Sequence, residues 1–497
     1  MRLKFPSALS LLLIISVLVA GLTWMIPSGK YDTLAYDSDA SVFIQENTEG
    51  KKILSAEQSV LDSMAIKIPV EKFTNGDIYK AIGIPNTYKV VEANPQGIKE
   101  LIMAPVKGII ATADIIFLVL IIGGLIGVMN RTGAFNAGIS WFARVLKGRE
   151  YLLIIVVTLL IAAGGTSFGM AEETMAFFPI LIPVFLIAGY DAMVGLACIF
   201  LGSAVGTMCS TTNPFSSIIA SDSAGINWTV GLNGRLFMLG VCLLITLIYI
   251  LRYAAKVKKD PSKSIIYEEK EMIEKLFSSA APSEKIEMTT RHKLILVVFS
   301  LAFIVTVIGV SGFGWWFVEM TSVFVVASII IGLMAGISES DFLDSFMKGA
   351  GDLLSVAFII GVARGISIIM EDGLISDSIL YSASNAIDGM HSSIFANVMF
   401  VLYGGLSFFM PSSSGMAVLT MPIFSPLADT VGIGREHIVD AYQFGMGLFY
   451  FINPTGLILA ALAIVKLGFD KWLKFILPLV FYLFVVIVIY MAVSVNI

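Results

Sequence analysis

Charge is scarce in this sequence. Lys, Arg, Asp and Glu make up only 14% of its 497 residues, against about 25% in a soluble domain. Histidine is nearly absent: His292, His391 and His437 lie far apart. Cysteine is limited to Cys198, Cys209 and Cys242, all in apolar segments. The first scarcity excludes a water-soluble globular domain. The others leave neither a disulfide framework nor a metal spacing. No G-x-x-x-x-G-K-[ST] phosphate loop and no H-E-x-x-H pair occurs. ATP-driven transport therefore has no sequence basis. An intramembrane enzyme, the reading from another class, lacks a metal motif, and three scattered histidines offer little as a base.

Long uncharged runs fill the space. Phe5–Gly29, Tyr151–Ala171, Ala192–Ser221, Leu294–Val318, Met320–Ser338, Ser392–Ala428, Ala441–Val465 and Phe475–Ile497 contain no Asp, Glu, Lys or Arg. A bilayer span needs about 20 mainly apolar residues. With a mean hydropathy of +0.89, the chain reads as an all-α polytopic membrane protein. Its 44 glycines suit helices that approach closely. The net charge of −5 says little about partners, and no nucleic-acid partner is indicated. The first run ends in Thr23-Trp24-Met25-Ile26-Pro27, without a small-residue cleavage pattern, and reads as a retained span.

Cytoplasmic loops collect Lys and Arg. Basic segments occur at Arg2–Lys4, Arg131–Arg149, Arg252–Lys293 and Lys466–Lys474, whereas Glu371–His391 has neither residue. The N-terminus is therefore expected inside. The expected organisation is a first transmembrane helix over 1–29, an extracytoplasmic loop over 30–100 with no readable motif, and a membrane repeat over 101–255. A cytoplasmic linker over 256–293, connecting helices over 294–340 and a second repeat over 341–497 follow.

The repeat is visible in the residues. Gly164-Gly165-x-Ser167-Phe168-x-Met170 recurs as Gly404-Gly405-x-Ser407-Phe408-x-Met410, 240 residues later. In the same register Asn213-Pro214 recurs as Asn453-Pro454. Lys107-Gly108 parallels Lys348-Gly349, and Ile121-Ile122-Gly123 parallels Ile359-Ile360-Gly361. Each unit has an odd number of net crossings, and two spans intervene, so the units are expected to be inverted. Inverted repeats with interrupted helices typify secondary transporters, with the substrate near the midplane.

The interruptions supply candidate site residues. Asn is a strong N-cap and Pro suits the first helical position. Thr211-Thr212-Asn213-Pro214 and Asn453-Pro454-Thr455 thus read as starts of second half-helices whose positive ends suit a carboxylate. A simple proline kink is the alternative. Glu172, Glu173 and Thr174 fall in register with Ser412, Ser413 and Ser414, each group midway along an apolar stretch. These read as the tips of two re-entrant hairpins, with Ser167 nearby. A solvated loop between two full spans is the alternative for Glu172-Glu173. Adjacent carboxylates at depth need a proton, a cation or an internal partner. Arg364, near the middle of its span, is such a partner, unless it reaches toward an interface.

The runs "GMAEETMAFFPILIPV", "GYDAMVG", "STTNPF", "INPTGLILAAL", "KWLKFILP" and "LTWMIPSGKYD" resemble the C4-dicarboxylate anaerobic carrier-like family, in its YfcC-type branch. The resemblance covers roughly 1–30 and 100–495. It implies the ion transporter superfamily architecture: inverted repeats, two re-entrant hairpins, two broken helices, a homodimer and elevator-type motion. Members of that branch are described as basic amino acid antiporters. A bacterial cytoplasmic membrane location follows.

A dicarboxylate wants hydrogen-bond donors at both ends. Serine hydroxyls at one tip and carboxylates at the other instead suit an amino acid with a positive end. The expectation is arginine/ornithine-type antiport without a cofactor; a coupling Na⁺ or H⁺ is the one addition considered. Na⁺- or H⁺-coupled uptake of a C4-dicarboxylate or small peptide is the alternative.

Overall fold

A computed structural model describes residues 6–496 except 49, 77, 79, 136, 139, 140, 142–147, 279–287, 314 and 387–389. Arg144 and Lys147 of the basic loop lie outside the described residues. In chain order the helices are α1 (Ala8–Leu22), α2 (Ile98–Ala111), α3 (Ala113–Thr132), α4 (Tyr151–Phe168), α5 (Phe177–Ile187) and α6 (Ala192–Met208). Next come α7 (Leu232–Lys259), α8 (Thr290–Phe313), α9 (Phe317–Ala335), α10 (Glu339–Asp352), α11 (Leu354–Asp372) and α12 (Ser376–Ala386). The series ends with α13 (Ser392–Ser407), α14 (Ser413–Val431), α15 (Glu436–Tyr450), α16 (Ile458–Val465) and α17 (Phe469–Ser494). Among the described residues, 7 helices are long and apolar enough to cross a membrane, and the chain is a multi-pass membrane protein. Several helices start on side-chain caps: Ser7, Asp191 and Ser412 accept from the N–H groups of Ser10, Val194 and Gly415.

Polar contacts sort the ends of the helices onto two faces. Glu150, just before α4, pairs with Lys258 near the end of α7 at 3.2 Å. Asp191, just after α5, accepts hydrogen bonds from Tyr253 Oη and from Ser264 Oγ in the linker. The α4–α5 hairpin therefore enters and leaves at the face carrying the linker. At the opposite face, Ser392 Oγ donates to Val431 O, which brings both ends of the α13–α14 hairpin together. There Asp429 meets Lys67 of the long loop. The two hairpins enter from opposite sides. This is the inverted repeat in its most direct form.

The repeat also governs packing. Helix α4 packs on α6 as α13 packs on α15, and α2 packs on α11 as α10 packs on α3. Helix α1 lies on α11 as α9 lies on α3. The paralleled glycines meet crosswise. A Cβ on Gly108 would lie 2.1 Å from Gly361 O, and one on Gly349 would lie 2.2 Å from Gly123 O. Any side chain there would push the helices apart. Helices α1–α3 and α8–α11 form a framework; α4–α7 and α13–α17 form a second unit built around the hairpins.

The segment after α1 is not a featureless loop. Strands β1 (Gly29–Lys30), β2 (Thr33–Asp37), β3 (Val42–Asn47), β4 (Gly50–Ser55), β5 (Ile82–Gly83) and β6 (Lys89–Val90) form two small antiparallel sheets, ordered β4-β3-β2-β5 and β1-β6. Leu34, Phe43, Leu61, Phe73 and Ile82 are buried and continue the hydrophobic core of the helices into this module. Its strands are short and its charges mixed, so periodicity did not reveal it.

Candidate functional site

Each hairpin ends against a broken helix. Helix α4 closes at Gly169, with φ +80°, a conformation that costs glycine little. A Cβ there would also strike the Asn213 amide at 2.7 Å. The chain then turns through Met170-Ala171 into a short 3-10 turn, Glu172–Ala176. A helix leaves its last carbonyls without intrahelical partners. Here the first break supplies them: Thr166 O accepts from Thr211 N at 3.0 Å and Thr212 N at 3.2 Å. Thr212 Oγ1 donates to Ser167 O at 3.1 Å.

The second hairpin repeats the device with different atoms. Asn453 Nδ2 donates to Ser407 O at 2.8 Å, and Thr455 Oγ1 donates to Phe408 O at 3.1 Å. At the breaks themselves, Asn213 Oδ1 accepts from Phe215 N and Asn453 Oδ1 accepts from Thr455 N, both at 2.9 Å. At the first break Asn213 caps a new helical segment, Pro214–Ile218. At the second, the helix expected to start at Pro454 does not, because Asn453 Oδ1 is taken by the N–H and hydroxyl of Thr455 in a turn, and α16 begins only at Ile458. The two breaks lie side by side where α6 crosses α15; a Cβ on Gly447 would sit 2.5 Å from Met208.

Accessibility divides the candidate residues. Thr211, Asn213, Asn453, Thr455, Glu173, Thr174 and Ser414 are buried. Thr212 and Ser412 are exposed, and Ser167, Glu172 and Ser413 are half-buried. Several hydroxyls already serve the fold. Thr174 Oγ1 donates to Ala171 O, and Ser167 Oγ donates to Ala163 O. The Glu173 carboxylate accepts from Ala171 N at 3.1 Å and so braces its own tip.

The cations nearest in sequence expectation go elsewhere. Arg364 pairs with Glu371 at 3.1 Å on its own helix, not with Glu172 or Glu173. That is the interface-directed arrangement. Arg235 lies with Asp440 at 3.7 Å inside the hairpin unit, and Lys72 with Asp222 at 3.1 Å. Tyr450 stacks on Phe200 at 5.5 Å. Among the described residues no cluster of His, Cys, Asp and Glu could hold a metal ion.

Two features escaped the sequence. Gly165-Thr166-Ser167-Phe168-Gly169 has the G-x-S-x-G spacing of a nucleophile elbow. Ser167, however, lies in the last turn of a helix rather than between strand and helix, and its hydroxyl is committed to Ala163 O. The second is Lys80 of the loop module, whose Nζ donates to Ser414 Oγ at 2.8 Å in the second tip. No local pattern marks it, because the partners are 334 residues apart.

Outside the spans, Glu150 is held well below the ordinary carboxylate value, to about 2. The backbone N–H of Gly148 is the largest cause, and Lys258 adds to it. Burial pushes Asp191 upward, and the hydroxyls of Ser264 and Tyr253 pull it back.

Comparison with known proteins follows the same lines. The model of the family described as C4-dicarboxylate anaerobic carrier matches residues 5–496. An uncharacterized protein of Haemophilus influenzae is 42% identical over 479 residues, covering 96% of this chain and 94% of that protein. An Escherichia coli protein, "Putative basic amino acid antiporter YfcC", is 29% identical over 495 residues, covering 95% and 93%. Among solved structures, Neisseria gonorrhoeae MtrF, of a class of antimetabolite efflux pumps, superposes with a TM-score of 0.42 at 15% identity, covering 100% of this chain and 96% of that one. The Alcanivorax borkumensis YdaH transporter does so with a TM-score of 0.40 at 12% identity, covering 99% and 98%.

Proposed function

The chain belongs to the C4-dicarboxylate anaerobic carrier family, and we propose that this membrane transporter exchanges basic amino acids of the arginine/ornithine type. The observation that carries this reading is the opposite chemistry of two equivalent tips. Glu172 and Glu173 form one; Ser412, Ser413 and Ser414 form the other. A molecule with a carboxylate at one end and a cationic group at the other would complement this pair. Its cation would neutralise carboxylates that repel each other. The name of the E. coli relative points the same way.

In this reading Thr212, Ser412 and Ser413 contact substrate, while Ser167, Asn213, Asn453, Thr211, Thr455 and Thr174 hold the breaks and tips that present them. The hairpin unit moves against the framework in an elevator-type cycle, and the protein works as a homodimer. The N-terminus and linker face the cytoplasm of a bacterium; the loop module lies outside its inner membrane. Exchange of one monovalent cation for another moves no net charge and needs no cofactor.

A second reading, Na⁺- or H⁺-coupled uptake of a C4-dicarboxylate or small peptide, is favoured by the family's description. In it the acidic tip would hold the coupling ion. Proteoliposomes separate the two. Labelled arginine entering only when ornithine is inside supports exchange. Labelled succinate entering down a Na⁺ gradient, without arginine exchange, would sink it.

A further inference from the structure

The hairpin unit meets the framework along a seam. Among the described residues two ring pairs cross it, and both come from the first repeat. Phe177, the first residue of α5 after the Glu172–Ala176 turn, meets Phe303 of α8 with ring centroids 5.0 Å apart. Phe215, two residues past Asn213, meets Trp316 edge to face at 4.8 Å. The framework fixes both sockets. Phe303 sits with Phe299 and Phe324, at 5.1 Å and 5.0 Å. Trp316 caps the start of α9, where its backbone N–H donates to Glu319 at 3.0 Å and its ring meets Phe317. The second repeat has no ring at either place. Under the 240-residue offset Phe177 and Phe215 fall on Ala417 and Thr455. Thr455 Oγ1 donates to Phe408 O inside the hairpin unit. On that side a polar bond crosses the seam instead: Ser367 Oγ of α11 donates to Phe409 O at 3.2 Å.

We propose that Phe177–Phe303 and Phe215–Trp316 form an aromatic lock that holds the hairpin unit at this end of its travel. The lock rests on the moving hairpin unit of the proposed transport cycle. If two inverted repeats were identical, each end state would be the two-fold image of the other, and the two would be equally populated. A contact that one repeat makes and the other cannot make separates them in free energy. Ring pairs suit that role, because their edge-to-face attraction adds to the area they bury. Trp316 and Phe303 belong to the framework, so both pairs must part when the unit slides. The rings also flank the acidic tip. Phe177 follows the Glu172–Ala176 turn directly, and the Phe215 N–H is held by Asn213 Oδ1 at 2.9 Å. A ligand that reshapes this tip therefore acts on the lock, and it shifts the two states by as much as it favours one of them.

The test measures the distance between two spin labels on the full-length protein in proteoliposomes. Lys259→Cys at the end of α7 marks the hairpin unit, and Ser340→Cys at the start of α10 marks the framework. Both positions are exposed, and the native cysteines are buried. Phe177→Ala and Phe215→Thr install the second repeat's residues. Each should raise the population of the second distance about twofold to tenfold, the range of one aromatic pair, and the double variant by about the product. Phe215→Tyr keeps a ring and should hold the wild-type ratio. So should Phe135→Leu, which removes a ring that meets Phe299 at 5.1 Å within the framework. If arginine or succinate moves the wild-type distances while the variants keep the wild-type ratio, the lock is overturned and the moving unit stands. One unchanged distance in every sample, with and without substrate, overturns the moving unit and the lock together. An equal shift in Phe135→Leu also overturns the lock, since loosened packing would then account for the change.

Discussion

The two hairpins descend from one pattern and end in opposite chemistry. Gly169 turns the first tip through a left-handed residue into a 3-10 turn that carries Glu172 and Glu173. In the second, Phe409 stands in register with Gly169, and the turn resolves into a helix capped by Ser412. The support beneath is shared. In both repeats polar groups of an Asn-Pro break satisfy the last carbonyls of the first arm. Where the framework of the fold is at stake the repeats agree; where a substrate would touch, they diverge. A symmetric pair of tips would suit a symmetric ligand, and this pair does not.

That contrast can be attacked directly. The largest effect is expected from Glu172→Gln or Glu173→Gln. At least one should weaken binding of a cationic amino acid more than about a hundredfold, as loss of an ion pair in a desolvated site does, with a normal size-exclusion profile. Unchanged affinity in both variants removes the carboxylates from the site. The shared support should respond equally on the two sides. A Cβ on Gly206 would lie 2.3 Å from Ala162 O, and one on Gly445 would lie 2.3 Å from Phe400 O. Alanine at either should cost about 1–3 kcal/mol through overpacking, read as a lower Tm in detergent. A large loss at one and none at the other would break the equivalence.

Lys72→Met tests the anchoring of the module. It withdraws a cation from Asp222, whose side chain is 1% exposed. A loss of about 1–3 kcal/mol is expected, and Asp222→Asn in the same background should restore part of it. Additive losses would refute a direct pair. The smallest effect concerns acid. The Glu150 value is depressed to about 2, so the stabilising share of its contacts is present above the unfolded value and fades as pH falls through the folded one. Protease access to the start of α4 should rise between about pH 4 and pH 2, and less so in Glu150→Gln. An identical acid response in that variant would discard the assignment.

Much of this architecture could be read from residues alone. Gly108 and Gly349 match between the repeats, as do Gly123 and Gly361, and in the structure they pair crosswise, Gly108 with Gly361 and Gly349 with Gly123. A two-fold relation makes that reciprocity necessary: when one residue touches a second in the other repeat, their counterparts touch as well. The direction of Arg364 was not legible, since Glu371 lies two helical turns along the same face and competes with any distant carboxylate.

The sequence by itself determined the class of protein, the inverted pairing and the two tips, because those follow from local hydropathy, proline breaks and a repeat that any reader can align. Only the tertiary structure decided which charges share a site. It folded a motif-free loop into a six-stranded module and set Lys80 on the serine tip. Ion pairing depends on distances across the fold, and residues 334 apart in the chain acquire such a distance only when the helices between them have packed.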